Sequence, residues 1–251
     1  MTTAGAFFDL DRTLMAGSSG FHWVRAARAA GMVTRRQLAR DAMTNVRFRL
    51  RGSTDEIARG AMQRLDEALR GRHPREFERL GPTVLAGILP RLYPQMLELA
   101  WDHQDHGRRV YIATAATQDT ADMIAHVLGF DGAVGTRLEL DADGVYTGKL
   151  DGPMAYREGK AERVALVAEH DGIDLGASYA YSDSESDLPM LRAVGHPVVV
   201  NPDRELARVA ATEGWEVLRF ETLGRRIVVA GAVATMFAAA GTARAAARLR
   251  A

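Results

Sequence analysis

Hydrophobic positions follow two regimes along this chain. Ala6-Phe7-Phe8-Asp9-Leu10-Asp11 is a short apolar run ending in carboxylates. It reads as a buried parallel strand whose C-terminal end reaches a site. From Leu14 to Pro90 no strand signal occurs. Ser18 and Ser19 can cap a helix carrying Phe21, Val24 and Ala27, which stops near Gly31. Thr34-Arg35-Arg36-Gln37 has capping-box spacing, and the helix it opens runs to Gly52. Ser53-Thr54-Asp55-Glu56 repeats that spacing and opens a helix ending near Gly71. Pro74 fits the first turn of a fourth helix, which fades before Pro90. The block is all-helical.

After Pro94 strands and helices alternate. A helix covers Pro94 to His106, with Gly107 as its stop. Val110–Ala113 is a strand, and Thr117 caps a helix to about Leu128. Leu138-Glu139-Leu140 and Val145-Tyr146-Thr147, joined through Asp143-Gly144, read as a hairpin. A helix around Gly159 to Glu169, a strand at Tyr179–Tyr181, a helix at Asp187–Ala193 and a strand at Pro197–Val200 follow. Such alternation predicts an α/β fold with a parallel sheet covered on both faces. Residues 1–16 and 91–222 form the α/β core in this reading. Residues 17–90 are a helical insertion, and 223–251 an Ala-rich apolar tail.

At 251 residues and 27.3 kDa, the chain suits one large domain or one domain with an insertion. Lys plus Arg (32) equals Asp plus Glu (32), so no global basic field recruits nucleic acid. Cysteine is absent, which excludes a thiolate nucleophile or metal site and suits a reducing cytoplasm. The N-terminus lacks the basic region of a secretory signal. Ile227 to Thr242 is uncharged and flanked by arginines, but short of a standard spanning helix. Two readings stay open for it: membrane association, or a terminal helix packed on the domain or a partner. The oligomeric state is not legible.

Four polar signals sit just after predicted strands or at a helix start. Asp9 and Asp11, two apart on a strand, point the same way and repel unless a cation or proton intervenes. Thr114 follows the Val110–Ala113 strand, and Lys160 opens a helix in Glu158-Gly159-Lys160. Asp183 and Asp187 follow the Tyr179–Tyr181 strand. Small hard cations take one or two such carboxylates together with waters and phosphate oxygens. Each signal alone has an ordinary explanation: a solvated carboxylate pair, a capping threonine, a surface lysine, a helix N-cap. Their order together is far more specific.

That order resembles the haloacid dehalogenase superfamily, and within it the phosphoserine phosphatase-like branch. The stretches Gly135-Thr136-Arg137-Leu138-Glu139, Tyr146-Thr147-Gly148, Tyr181-Ser182-Asp183-Ser184, Gly195-His196-Pro197 and Asn201-Pro202-Asp203 carry the resemblance. It implies a Rossmann-like core with an inserted helical cap of the first type. It also implies a magnesium-dependent phosphatase acting on a small phosphorylated metabolite. Asp9 would be the nucleophile, forming an aspartyl-phosphate, and Asp11 the acid and base. Thr114 and Lys160 would bind phosphoryl oxygens. Asp9, the Asp11 carbonyl and Asp183 would hold Mg²⁺, with Asp187 orienting Lys160 or a metal-bound water.

In phosphoserine phosphatases a glutamate nine residues past the nucleophile meets the substrate amine; here that position is Ser18. Arg47 and Arg51 share a helix face and offer a second anion contact. Phe21, Trp23 and Phe48 either line an apolar pocket or pack helix on helix. The histidines show no metal-ligand spacing, and His103 and His106 read as surface residues. Two alternatives accompany the leading reading. One is a phospholipid-related or phosphocholine-type phosphatase associated with membrane through the tail. The other is a non-catalytic binding protein on the same fold.

Overall fold

The computed structural model describes residues 3–32, 60 and 69–220. Strand β1 (Gly5–Phe8) leads through a tight loop into helix α1 (Ser19–Ala29). The chain resumes with α2 (Pro74–Glu78), α3 (Gly81–Ile88) and α4 (Pro94–Asp105). Then come β2 (Arg109–Thr117), α5 (Gln118–Leu128) and β3 (Gly132–Thr136). A hairpin of β4 (Leu138–Leu140) and β5 (Tyr146–Leu150) precedes α6 (Glu158–Asp171). Strand β6 (Tyr179–Ser182), α7 (Leu188–Ala193), β7 (His196–Val200), α8 (Arg204–Glu213) and β8 (Glu216–Leu218) complete the described chain.

Six strands form one parallel sheet in the order β3-β2-β1-β6-β7-β8, while β4 and β5 pair antiparallel apart from it. This is the predicted α/β, Rossmann-like architecture. Alternation along β1 divides the core. Ala6 and Phe8 join Ile112, Tyr181 and Val198 against α3, α4 and α5, through residues such as Val84, Met96 and Ile124. Phe7 joins Tyr111, Ala113, Ala180 and Val199 on the other face, against Val164 of α6, Met190 of α7 and Leu206 of α8. Phe8 stacks on Tyr181 at 4.3 Å between ring centroids, tying the central strands together.

Several expectations need correction. Strand β2 runs on to Thr117, beyond the predicted end at Ala113, with a register shift between the two. The predicted fourth helix is two, α2 and α3, parted at Arg79–Leu80 just before Pro82. Helix α1 buries Ser19, His22 and Ala26, whereas Phe21 and Val24 are 62% and 43% exposed. Its buried stripe is therefore polar at two of those three places, which hid it from a hydrophobic count. His103 is buried rather than on the surface. Its Nε2 lies 2.7 Å from the Tyr181 hydroxyl, and burial, assisted by Arg108, pulls its pKa down to about 4. His106 is exposed, as expected.

Three elements escaped the pattern. Strand β3 contains Gly132 and Gly135, which weaken any strand signal. A Cβ on Gly135 would meet the Gln118 backbone at 2.7 Å, so this glycine allows helix α5 to approach the sheet. Strand β8 is a short edge strand, and α8 starts from Asp203, whose carboxylate accepts from the Leu206 N–H at 2.8 Å. The helices predicted over 34–52 and 53–71 lie almost wholly outside the described residues, as do Arg47, Phe48, Arg51 and the 223–251 tail. No helix among the described residues is long and apolar enough to cross a membrane.

Between α7 and β7 the backbone passes so near the preceding turn that a Cβ on Gly195 would lie 1.8 Å from the Gly176 carbonyl oxygen. Gly195→Ala is expected to cost about 1–3 kcal/mol by forcing the backbones apart. A urea titration should show the midpoint fall with an unchanged slope.

Candidate active site

The parallel register assembles the site. Phe8 lies level with Ile112 on one side and Tyr181 on the other. Asp9 therefore emerges between β2 and β6 at their C-terminal edge, its N–H donating to the Tyr181 carbonyl at 2.9 Å. The chain then turns sharply. Leu14 N–H reaches back to the carbonyls of Asp9 and Leu10, and Arg12 takes a left-handed conformation at φ +66°. Asp183 leaves β6 beside it, its carbonyl accepting from Asp203 N–H at 3.0 Å.

Lys160 comes from the first turn of α6. A Cβ on Gly159 would stand 2.2 Å from the Met154 carbonyl oxygen, so only glycine lets this helix start so close to the preceding loop. Lys160 is 2% exposed, with Nζ 2.9 Å from Asp9 Oδ1 and 2.7 Å from Asp187 Oδ1. Ser182 Oγ donates to the other Asp187 oxygen at 2.6 Å. Asp187 is thus held from two sides, and Lys160 is held by two carboxylates.

Asp11 is turned to a different neighbour. Ser18 Oγ and Ser19 N–H donate to its two oxygens, each at 2.8 Å. Thr114 is buried, and its hydroxyl accepts from Ala116 N–H at 3.2 Å. Asp9, Lys160, Asp183 and Asp187 are thereby gathered beyond the sheet edge, and Thr114 lies on the adjoining strand.

Two contributors were not assigned a role from sequence. Arg12 Nη2 stands 2.5 Å from Asp183 Oδ2, an ion pair made by an exposed arginine on a buried carboxylate. Ser182 steadies Asp187. Arg12 was visible in the Asp9–Thr13 string, but nothing in a string says which carboxylate an arginine meets. Asp203 supports the loop after β6, accepting from Glu185 N–H at 3.3 Å besides capping α8.

Burial dominates the electrostatics. Removal from water pushes Asp9 up to about 8, against the pull of Lys160 and with help from Asp187 and Asp183. Burial likewise raises Asp183 to about 7, opposed by Arg12. Burial alone would lower Lys160, but Asp187 and Asp9 outweigh it, so the ammonium is kept charged. Three buried carboxylates against one lysine and one arginine leave the cluster short of positive charge. The donor set is hard oxygen. Among the described residues no three His, Cys, Asp or Glu side chains form a cage. Magnesium suits such a site, since it keeps several waters and takes one or two carboxylates. The residues present therefore fit that ion.

A parallel sheet that collects carboxylates and a buried lysine at its C-terminal edge defines an α/β enzyme. A family model described as haloacid dehalogenase-like hydrolase matches residues 6–192, and the chain belongs to that family. It is 36% identical over 247 residues to a Mycobacterium tuberculosis protein named phosphoserine phosphatase SerB1, covering 97% of this chain and 80% of that one. It is 32% identical over 223 residues to a histidinol-phosphatase from Neisseria meningitidis, covering 86% of this chain and 98% of that one. A crystal structure of a Bordetella pertussis Tohama I protein of unknown function superposes with a TM-score of 0.75. The two are 29% identical, over 87% of this chain and 99% of that one.

The raised carboxylates make stability depend on pH. In metal-free protein, native Asp9 and Asp183 hold protons up to about pH 8 and 7, whereas the unfolded chain releases them near 3.8. The native state binds more protons across that window, so stability falls as pH rises through it. Urea unfolding in EDTA should give a higher midpoint at about pH 5.5 than at about pH 8.5, and saturating Mg²⁺ should close most of the gap. A midpoint in EDTA that does not move with pH would refute the assignment.

Proposed function

We propose that this protein is a magnesium-dependent phosphatase that hydrolyses a small phosphomonoester through an aspartyl-phosphate on Asp9. The observation that carries the reading is the buried Lys160 ammonium bridging Asp9 and Asp187 at 2.9 and 2.7 Å. It places a fixed positive charge where an anionic nucleophile must meet an anionic substrate. Family membership and the relatives named as phosphatases support the same reading.

Asp9 attacks phosphorus through a carboxylate oxygen while the bond to the leaving oxygen breaks. Asp11 gives that oxygen a proton, then takes one from the water that releases phosphate. Lys160 and Thr114 bind the remaining phosphoryl oxygens. Asp187, steadied by Ser182, orients Lys160. Asp9, Asp183 and the Asp11 backbone carbonyl would hold Mg²⁺, which neutralises charge on the transferring group when bound. Residues 17–90 act as the cap over this site.

The substrate class is a small phosphorylated metabolite. Phosphoserine and histidinol phosphate, the esters named by the relatives, both belong to it. Position 18 offers serine in place of an amine-binding glutamate, so amine recognition must come from elsewhere if either is used.

Phosphate release should be measured over phosphoserine, histidinol phosphate, phosphocholine, sugar phosphates, glycerol phosphates and lysophosphatidate. Activity should require Mg²⁺, disappear in EDTA, and fall at least about 1,000-fold in Asp9→Asn. Retention of activity by Asp9→Asn would overturn the mechanism. Silence of the wild type over the whole panel would favour a binding role on this fold.

A further inference from the structure

Helix α1 is capped in an unusual way. Its N-cap residue is Ser18, yet that side chain makes no bond to its own helix, and the first turn carries no acidic residue. The Ser18 hydroxyl instead donates to Asp11 Oδ2, while Ser19 N–H donates to Asp11 Oδ1, both at 2.8 Å. A carboxylate from the β1 loop thus does the capping, where exposed N–H groups and the helix dipole favour negative charge. One side chain serves two masters: it closes the first helix of the insertion, and it is the acid and base of the proposed reaction.

We propose that Ser18 is the positioning residue for Asp11, and that position 18 serves acid–base chemistry here rather than substrate selection. The inference rests on the reading of Asp11 as acid and base. The two contacts engage both carboxyl oxygens, so together they fix the rotamer of Asp11 and the plane of its carboxyl group. Without the hydroxyl, Oδ2 loses its anchor and the carboxyl group is free to turn about the Ser19 contact. A glutamate at this position would place a second negative charge beside Asp11 and supply no donor.

The test separates this from general damage by varying the leaving group. p-Nitrophenolate departs without a proton, whereas an alkoxide needs one. Wild type, Ser18→Ala and Ser18→Thr should be compared on p-nitrophenyl phosphate and glycerol phosphate. In Ser18→Ala, kcat/KM for the alkyl ester should fall about tenfold or more, and for the aryl ester less than about threefold. Ser18→Thr, which keeps the hydroxyl, should restore the alkyl ester to within about threefold of wild type. Equal losses on both esters, or none on either, would overturn the proposal. A second measurement does not use turnover: amide exchange at Ser19 should quicken at least about tenfold in Asp11→Ala. Unchanged exchange would show that Asp11 does not cap α1, and would also overturn it. If wild type is silent on both esters, the best alkyl ester of the panel above replaces glycerol phosphate; silence on the whole panel defeats the phosphatase reading, while the Ser19 amide still decides the contact.

Discussion

The buried ammonium of Lys160 is the interaction on which the site depends. A lysine removed from water is costly unless it is paired, and two carboxylates pair it here. Those carboxylates come from opposite parts of the chain, Asp9 at the end of β1 and Asp187 just before α7. Burial still pushes Asp9 up to about 8, so its charge against the lysine is complete only above that pH or with a cation bound. The three groups therefore hold one another in place, and removing one leaves an uncompensated charge. The fold serves this contact: Gly159 lets α6 begin close to the loop, and Ser182 holds the far oxygen of Asp187.

Asp183 meets a different solution. It is nearly as buried, but its cation is Arg12, which stands in solvent and reaches in. A solvent-facing guanidinium can give way to a small hard ion without opening the core. The lysine cannot. The site thus combines one positive charge sealed in the core with one that solvent reaches.

The helical insertion touches this chemistry at its first residues. Ser18 and Ser19 close on Asp11, and α1 and α3 pack into the same apolar layer that supports β1 from below. His22 lies so near Gly87 that a Cβ there would stand 2.2 Å from its ring nitrogen, which draws the two helices together. Movement of α1 would therefore be felt at Asp11 directly, through two hydrogen bonds.

Much of this was legible in one dimension. Short apolar runs ending in polar residues marked the central strands, and the positions where a parallel sheet exposes its C-terminal edge followed from them. Asp9, Asp11, Thr114, Lys160, Asp183 and Asp187 were singled out because residue type and order are sequence properties. What the sequence withheld depends on contact. It shows a lysine, but not that two carboxylates keep it charged in the core. It shows His103 on an apparently polar helix, but not the Tyr181 hydroxyl waiting beneath it. It shows Gly135 in β3, but not the start of helix α5 that needs its absent side chain. Ser18 stood out in the sequence only as a departure from the pattern the resemblance implies, and only the folded chain turned its hydroxyl toward Asp11. Local pattern determined the elements and the chemistry available, because both are set by neighbours along the chain. Which charge met which was left to tertiary structure, because partners far apart in sequence become neighbours only when the sheet closes its register.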